Sequence, residues 1–385
     1  MQKRRGAGKP TWPPPTQQEE YADMLQKLTR FGFRAFMLSL GPILVVLAVY
    51  LISFVLYVGT TCVLPLYGGK LNPVFLFSTL FTVFLGFNIV FNYFLCVTTN
   101  PGSHDSEYFK ELVEKAKSDG NIQGYYDDKL REEDSCADDI EKHTEPKIRK
   151  RPIDSSPQYA EVHGKTVTTI NSPAVRDGYD SEDEFDPFEW TYCWKSNGPK
   201  PPRSHFDSVT NKLVLNMDHY CPWMFNVVGF RNYRYFFLFL LWLWVGCVYA
   251  IIMTIVPFFS IRKHREVFGI IVPKKDSANV SFMFIICCAI CFSISFLFFW
   301  HLYLILTGQT TIEYHINRSK KREGATRGHL YMNPYDMGRR KNWQHVMGTM
   351  GVLKSLLPST REPPGLPWPD FGFLPMKRRQ GAHAV

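Results

Sequence analysis

Hydrophobic residues in this chain are bunched rather than spread. Four windows, residues 35–58, 74–97, 235–258 and 281–306, run without Lys, Arg, Asp or Glu. Each is at least as long as the roughly 20 helical residues needed to cross a hydrocarbon layer. They predict an all-α polytopic membrane protein with four transmembrane helices. Pro42, Asn88 and Asn92 interrupt the first two windows, which is tolerable where neighbouring groups satisfy the freed polar atoms. Buried core helices of a water-soluble protein are the alternative, and charge-free runs of this length argue against it.

The polar stretches divide the rest. Residues 1–34 form an N-terminal segment without an apolar core and small-residue cleavage site, so no removable signal peptide is expected. Residues 35–97 hold the first two helices. Residues 98–187 are charged, broken by Gly and Pro and poor in large apolar side chains, and read as a flexible linker with one short helical candidate at 106–116. The acidic run 177–184 near its end contains Ser181, a possible phosphorylation site or, more simply, part of a solvated spacer. Apolar and aromatic residues return at Phe188, and 188–234 is expected to be a small folded module. Helices three and four occupy 235–306. A tail, 307–385, carries Pro, Gly and basic clusters around a compact stretch at 330–352. No internal repeat is visible.

An even number of spans returns the chain to its starting side, so both termini and the module are expected in the cytosol. Lys27, Arg30 and Arg34 before the first span, and Arg318, Lys320, Lys321 and Arg322 after the last, agree with the preference for basic cytosolic flanks. Arg262, Lys263, Arg265, Lys274 and Lys275, in the loop between spans three and four, disagree. The net charge of +9 suits a surface beside anionic lipid. Nucleic acid is not an expected partner, because the basic residues flank apolar spans and accompany no nucleic-acid-binding motif. A channel or transporter is disfavoured by the lack of Asp, Glu, Lys and Arg within the spans.

Just ahead of the third span stands Asp218-His219-Tyr220-Cys221-Pro222-Trp223. Cysteine attacks as thiolate, an adjacent imidazole can lower its proton affinity or take its proton, and a carboxylate can orient that ring. Asp218, His219 and Cys221 are therefore candidate catalytic residues at a membrane surface, the alternative being a polar turn leading into a helix. Of nine cysteines, only Cys136, Cys193 and Cys221 fall in segments expected to face the cytosol. A reducing compartment makes disulfides unlikely partners for them, and three dispersed thiols cannot supply a four-cysteine metal site.

Pro201-Pro202-Arg203-Ser204-His205, the Asp218–Trp223 run, Asn226, Gly229 and Asn232-Tyr233-Arg234-Tyr235-Phe236 together resemble the DHHC family of protein S-acyltransferases. Asn100-Pro101-Gly102 looks like that family's Asp-Pro-Gly signature with Asn for Asp. Thr310-Thr311-Ile312-Glu313 matches its Thr-Thr-x-Glu motif, and Asn333-Pro334-Tyr335 resembles its aromatic C-terminal motif. The resemblance implies acyl transfer from acyl-CoA to cysteines of membrane-associated proteins through an acyl-Cys221 intermediate. His219 would act as base and later acid, with Asp218 orienting it. Thr310 or Thr311 would hold Asp218, or else cap the following segment. Asn226 would support the site, Trp223 would lie at headgroup level, and Asn333 with Tyr335 would brace the tail. Arg203, Lys212, Arg231 or Arg234 would meet the phosphates of CoA or else face the membrane surface. The family's setting implies a Golgi or endoplasmic reticulum membrane.

The departures concern metal. The family holds two zinc ions in the module, each through three Cys and one His. Alignment without a gap puts the first set on Cys193, Ser196, Phe206 and Leu213, and the second on Asp207, Thr210, Tyr220 and Val227. Neither offers the four N or S ligands of a closed site, so no zinc and no other cofactor is expected. Apolar packing by Phe206, Leu213 and Val227, about 1.5–3 kcal/mol each if buried, is expected to replace part of what metal supplies. Isolated His205 reads as a hydrogen-bonded structural group. The rival function is a catalytically inactive scaffold or accessory subunit, suggested by the missing ligands and by Asn100.

Overall fold

The computed structural model describes residues 17–68, 72–118, 187–326 and 328–361, together with Pro363 and the two-residue strands Glu161–Val162, Lys165–Thr166 and Thr168–Thr169. The Ser181 run and Cys136 lie outside the described residues. The fold is mainly helical and contains the four long apolar helices: α1 (Gln17–Val58), α2 (Pro73–Thr98), α4 (Tyr233–Lys263) and α5 (Ser277–Leu306). At about 1.5 Å per residue, the 42 residues of α1 reach about 60 Å, twice a hydrocarbon layer. The first helix thus begins well before residue 35, because helical propensity continues where hydrophobicity stops.

α4 is the centre of the bundle, packed along α2 and α5. Ile89, Tyr93 and Cys96 of α2, the run Tyr235–Leu240 of α4, and Phe298 and Ile305 of α5 form one buried cluster. Apolar side chains that point away from this core, such as Phe77, Leu80 and Phe94 of α2 and Phe292 and Phe296 of α5, are exposed, as a hydrocarbon surround permits. Asn88 and Asn92 are fully buried, and each amide NH₂ donates one turn back along α2, to Phe84 and Asn88 carbonyls at 2.8 Å. The helix itself satisfies those donors.

The module at one end of the bundle is built from three antiparallel hairpins of three-residue strands: β1 (Thr191–Cys193) with β2 (Gly198–Lys200), β3 (His205–Asp207) with β4 (Lys212–Val214), and β5 (His219–Cys221) with β6 (Asn226–Val228). They recur every 14 residues, as the strand starts at 191, 205 and 219 show. An internal repeat is therefore present where none was expected. Each loop has four residues and ends in a left-handed residue: Asn197, Asn211 and Phe225, with φ of 49°, 57° and 48°. Asn tolerates that conformation; a bulky aromatic rarely does. Phe225 lies against α1, where a Cβ on Gly41 would overlap its ring.

Residues 98–118 correct the expected linker boundary. Asn100 accepts backbone N–H groups of Gly102 and Ser103 at 2.9 Å, the task an Asp would perform in that turn. α3 (Glu107–Ser118) then buries Phe109, Leu112, Val113 and Ala116 against Cys193, Leu213, Leu215 and Phe230. Apolar spacing along a short amphipathic helix, rather than local composition, ties this segment to the module. After α5 come α6 (Thr311–Thr326), α7 (Arg339–Met347) and α8 (Val352–Leu356).

Candidate active site

The candidate nucleophile ends strand β5 where the third hairpin sinks into the helix ends. Cys221 is 8% exposed and clusters with Met224, Val228, Ile89, Tyr93, Cys96, Phe236 and Phe237. Pairing of His219 with Val228 and of Cys221 with Asn226 fixes the hairpin. Asn226 adds a second anchor: its amide donates toward the carbonyls of Cys96, Val97 and Thr99 at 3.1, 3.2 and 2.9 Å, groups that the end of α2 leaves without helical partners. Tyr93 donates to the Trp223 carbonyl at 2.8 Å, while the Trp223 side chain faces outward, 46% exposed. Gly229 admits the chain crossing behind the hairpin, since a Cβ there would meet Val214, the Pro101 carbonyl and the Leu215 carbonyl.

Asp218 is 1% exposed, a costly place for a carboxylate unless it is hydrogen-bonded. Its Oδ2 lies 2.7 Å from His219 Nδ1 and accepts from Thr311 Oγ1 at 2.9 Å, while Oδ1 accepts the Thr311 backbone N–H at 2.8 Å. Burial pushes the Asp218 carboxyl up, but these bonds and the facing imidazoles outweigh it and hold the group below its usual range. Burial likewise pushes His219 down; hydrogen bonds to Asp218 and Cys221, with their charges, overcome it and carry the ring up to about 10. The ring therefore holds a proton more tightly than a free imidazole, and its Nδ1 is engaged by the carboxylate.

The two threonines divide the roles that the sequence left open. Thr311 holds Asp218. Thr310 caps α6: its Oγ1 accepts the Glu313 N–H at 3.2 Å and its own N–H donates to Glu313 Oε2 at 2.8 Å. That reciprocal pattern is a capping box. Glu313 also receives Arg203 in a bidentate pair, 2.6 Å at each oxygen, both side chains about 5% exposed or less. Arg203 further donates to Gly308 O at 3.2 Å and sits 4.5 Å from the Tyr335 ring centroid. Tyr335 donates to Pro187 O at 2.6 Å, and Asn333 donates to Thr307 O at 2.9 Å at the end of α5. The tail, the module and the last apolar helix meet there.

Two arginines named as phosphate candidates are thereby excluded. Arg203 is spent on Glu313, and Arg234 is buried with its guanidinium donating to the carbonyls of Ser355, Leu357 and Ser359. Lys212 pairs with Asp105 at 2.8 Å on the half-exposed surface, and Arg231 stacks over Tyr108.

The positions aligned with zinc ligands do not suit the metal. Cys193, Phe206 and Leu213 belong to the apolar cluster under α3, and Ser196 Oγ is buried without a hydrogen-bond partner among the described residues. In the second set, Asp207 Oδ2 accepts from Thr210 N and Oγ1 at 2.7 and 2.6 Å, closing its own turn. Tyr220 and Val227 pack with Val214 and Met217. One thiol, or one carboxylate already bonded, cannot complete a tetrahedral donor set. His205 is held neutral, down to about 4, mainly by burial.

One residue escaped the sequence reading. His301, in the last turns of α5, is 1% exposed and its Nδ1 lies 3.0 Å from the Tyr233 hydroxyl. Donor atoms of His301, His219 and Asp218 all lie within 4.8 Å of one another, but the Asp218 oxygens and the His219 Nδ1 are committed to hydrogen bonds. An imidazole inside a span without Asp, Glu, Lys or Arg is a recognised sign of function, and it is visible in the sequence only when His is counted among the ionisable residues of the spans.

Residues 186–318 match the DHHC palmitoyltransferase family. The chain is 32% identical over 234 residues to palmitoyltransferase ZDHHC16A of Danio rerio, covering 48% of this chain and 60% of that relative. It is 34% identical over 174 residues to probable protein S-acyltransferase 16 of Arabidopsis thaliana, covering 44% and 58%. The match thus spans a little under two thirds of these curated relatives. Residues 186–318 are thus similar to the DHHC palmitoyltransferase family, and Asp218-His219-Tyr220-Cys221 lies within the matched stretch.

Proposed function

We propose that the protein is an S-acyltransferase that moves a long-chain acyl group from acyl-CoA to cysteines of membrane-associated proteins through acyl-Cys221. One observation carries the reading: a buried Asp218, clasped by Thr311 and paired with a partly exposed His219, stands beside a cysteine packed among the ends of apolar helices. His219 takes the Cys221 proton as the sulfur attacks the thioester carbonyl, the C–S bond to CoA breaks, and the departing thiolate takes that proton from the ring. The neutral ring then accepts the proton of a substrate thiol, which attacks acyl-Cys221 and releases it as thiolate. His219 thus acts as base and then as acid in the loading step, with Asp218 holding the ring.

Location explains the membrane. Each buried methylene is worth about 0.8 kcal/mol, so drawing a sixteen-carbon chain into water would cost on the order of 12 kcal/mol. A sulfur among helix ends leaves the chain in hydrocarbon. The module lies at the end of the bundle where α2 and α5 finish and α4 begins; basic residues at 27–34 and 318–322 flank the same end, which favours a cytosolic face. A Golgi or endoplasmic reticulum membrane is the proposed home, and the module is proposed to hold no zinc.

Purified protein incubated with labelled palmitoyl-CoA is expected to acquire hydroxylamine-sensitive label that Cys221→Ser abolishes. Wild-type protein that stays unlabelled while a loading relative is labelled beside it would favour the inactive scaffold, the reading that the lost metal ligands support.

A further inference from the structure

His301 lies 82 residues beyond His219 in the chain, yet the two rings stand 5.8 Å apart, centroid to centroid. Phe236 lies edge-on to both, 5.3 Å from His219 and 4.9 Å from His301. The His219 ring is therefore walled by one aromatic hydrocarbon and one imidazole. His301 is in turn fixed: Nδ1 is engaged by the Tyr233 hydroxyl at 3.0 Å, and Tyr233 is anchored as the first residue of α4. A packing role alone needs no imidazole at a site 1% exposed, since Leu or Phe would fill the space without desolvating two polar nitrogens.

We infer that His301 is a positioning residue of the acylation site, held by Tyr233 so that its ring supports the Asp218–His219 pair in the register that serves Cys221. The inference rests on the acyltransferase reading of the same site. Asp218 and His219 are the charged groups facing His301 from the β5 hairpin, and Tyr233 faces it from α4; Arg203 and Glu313 lie beyond Tyr233 and neutralise one another. A polar wall suits a ring that must alternate between imidazolium and imidazole while its carboxylate partner stays ionised. An apolar wall would favour neither charged form. The chemistry itself stays with Cys221 and His219.

The test uses full-length protein in nanodiscs carrying His301→Leu, His301→Gln or Tyr233→Phe. Gln keeps an N–H donor near the position of Nε2; Leu keeps only bulk. Three readouts are taken: auto-acylation rate, the palmitoyl-CoA concentration for half-maximal rate, and the pH midpoint of Cys221 alkylation by iodoacetamide, followed by mass spectrometry of the Cys221 peptide. His301→Leu is expected to slow auto-acylation about 10- to 100-fold at unchanged half-saturation, and to move the alkylation midpoint upward by about one pH unit. His301→Gln should recover the rate to within about three-fold of wild type, and Tyr233→Phe should shift both readouts the same way by less. The inference is overturned if His301→Leu keeps the wild-type midpoint, or if Leu and Gln variants are equally slow with half-saturation altered, the mark of a packing role. If wild-type protein never loads, the acyltransferase reading fails instead; the alkylation midpoint still decides whether His301 acts on the Asp218–His219–Cys221 set.

Discussion

At the scale of single residues, the chemistry sits where the chain places it locally. Asp218, His219 and Cys221 are within four positions of one another, so their grouping was legible as a string. What the string could not show is who holds Asp218. Thr311 comes from beyond the last apolar helix, and nothing local distinguishes it from Thr310; only the fold sends one hydroxyl to the carboxylate and the other to the helix cap. His301 was hidden for the same reason, being brought to the site by the return of α5. The proton affinity of His219 has a consequence for stability. Its folded value of about 10 exceeds the ordinary 6.5, so the stabilisation it contributes is complete below about pH 6.5 and is lost as pH rises through about 10. The melting-temperature gap between wild type and His219→Ala in detergent should therefore be widest near pH 6 and narrow steadily toward pH 10; a gap that widens with pH would contradict that raised proton affinity.

Elements show a sharper division between what pattern reveals and what it hides. Long apolar helices announce themselves, because about 20 residues of one character leave little choice of environment. The hairpins do not. Strands of three residues are too short for alternation to register, and the 14-residue recurrence is carried by loop length and by a left-handed last residue, while the side chains that end the first strands are not uniform, Asp207 standing between Cys193 and Cys221. The Arg203–Glu313 pair ties this module to α6. Because both groups are almost fully buried, removing one strands the other: Arg203→Ala or Glu313→Gln should lower stability by about 3–5 kcal/mol. A paired replacement by Met and Leu should recover much of that in denaturant unfolding, and single variants as stable as wild type would show that the pair is not buried in the native state.

For the whole molecule, three separate parts of the chain converge on one end of the bundle. α3 supplies apolar cover to the module, the 307–347 segment locks it through Thr311, Glu313 and Tyr335, and 352–361 is held by Arg234, Tyr235 and Trp242 through hydrogen bonds to backbone carbonyls. Carbonyl recognition leaves no side-chain signature, which is why the docking of the tail could not be read from composition. The positions that the resemblance would assign to zinc carry packed apolar side chains and an Asp207 bonded within its own turn, which leads to a direct expectation. Protein purified without added metal should carry well under one zinc per chain, and chelator should leave its melting temperature and its loading by palmitoyl-CoA unchanged. About two ions per chain would show that other donors complete the sites.

Phe225 gives up backbone comfort that Asn197 and Asn211 keep, and it spends that strain against Gly41 of α1. The glycine works as a depth stop. With no side chain at 41, the loop following Cys221 can press flush against the first helix, which seats the hairpin that carries the sulfur. Any larger residue there would lift the hairpin and carry the thiol outward, away from the layer in which a fatty chain is content to stay.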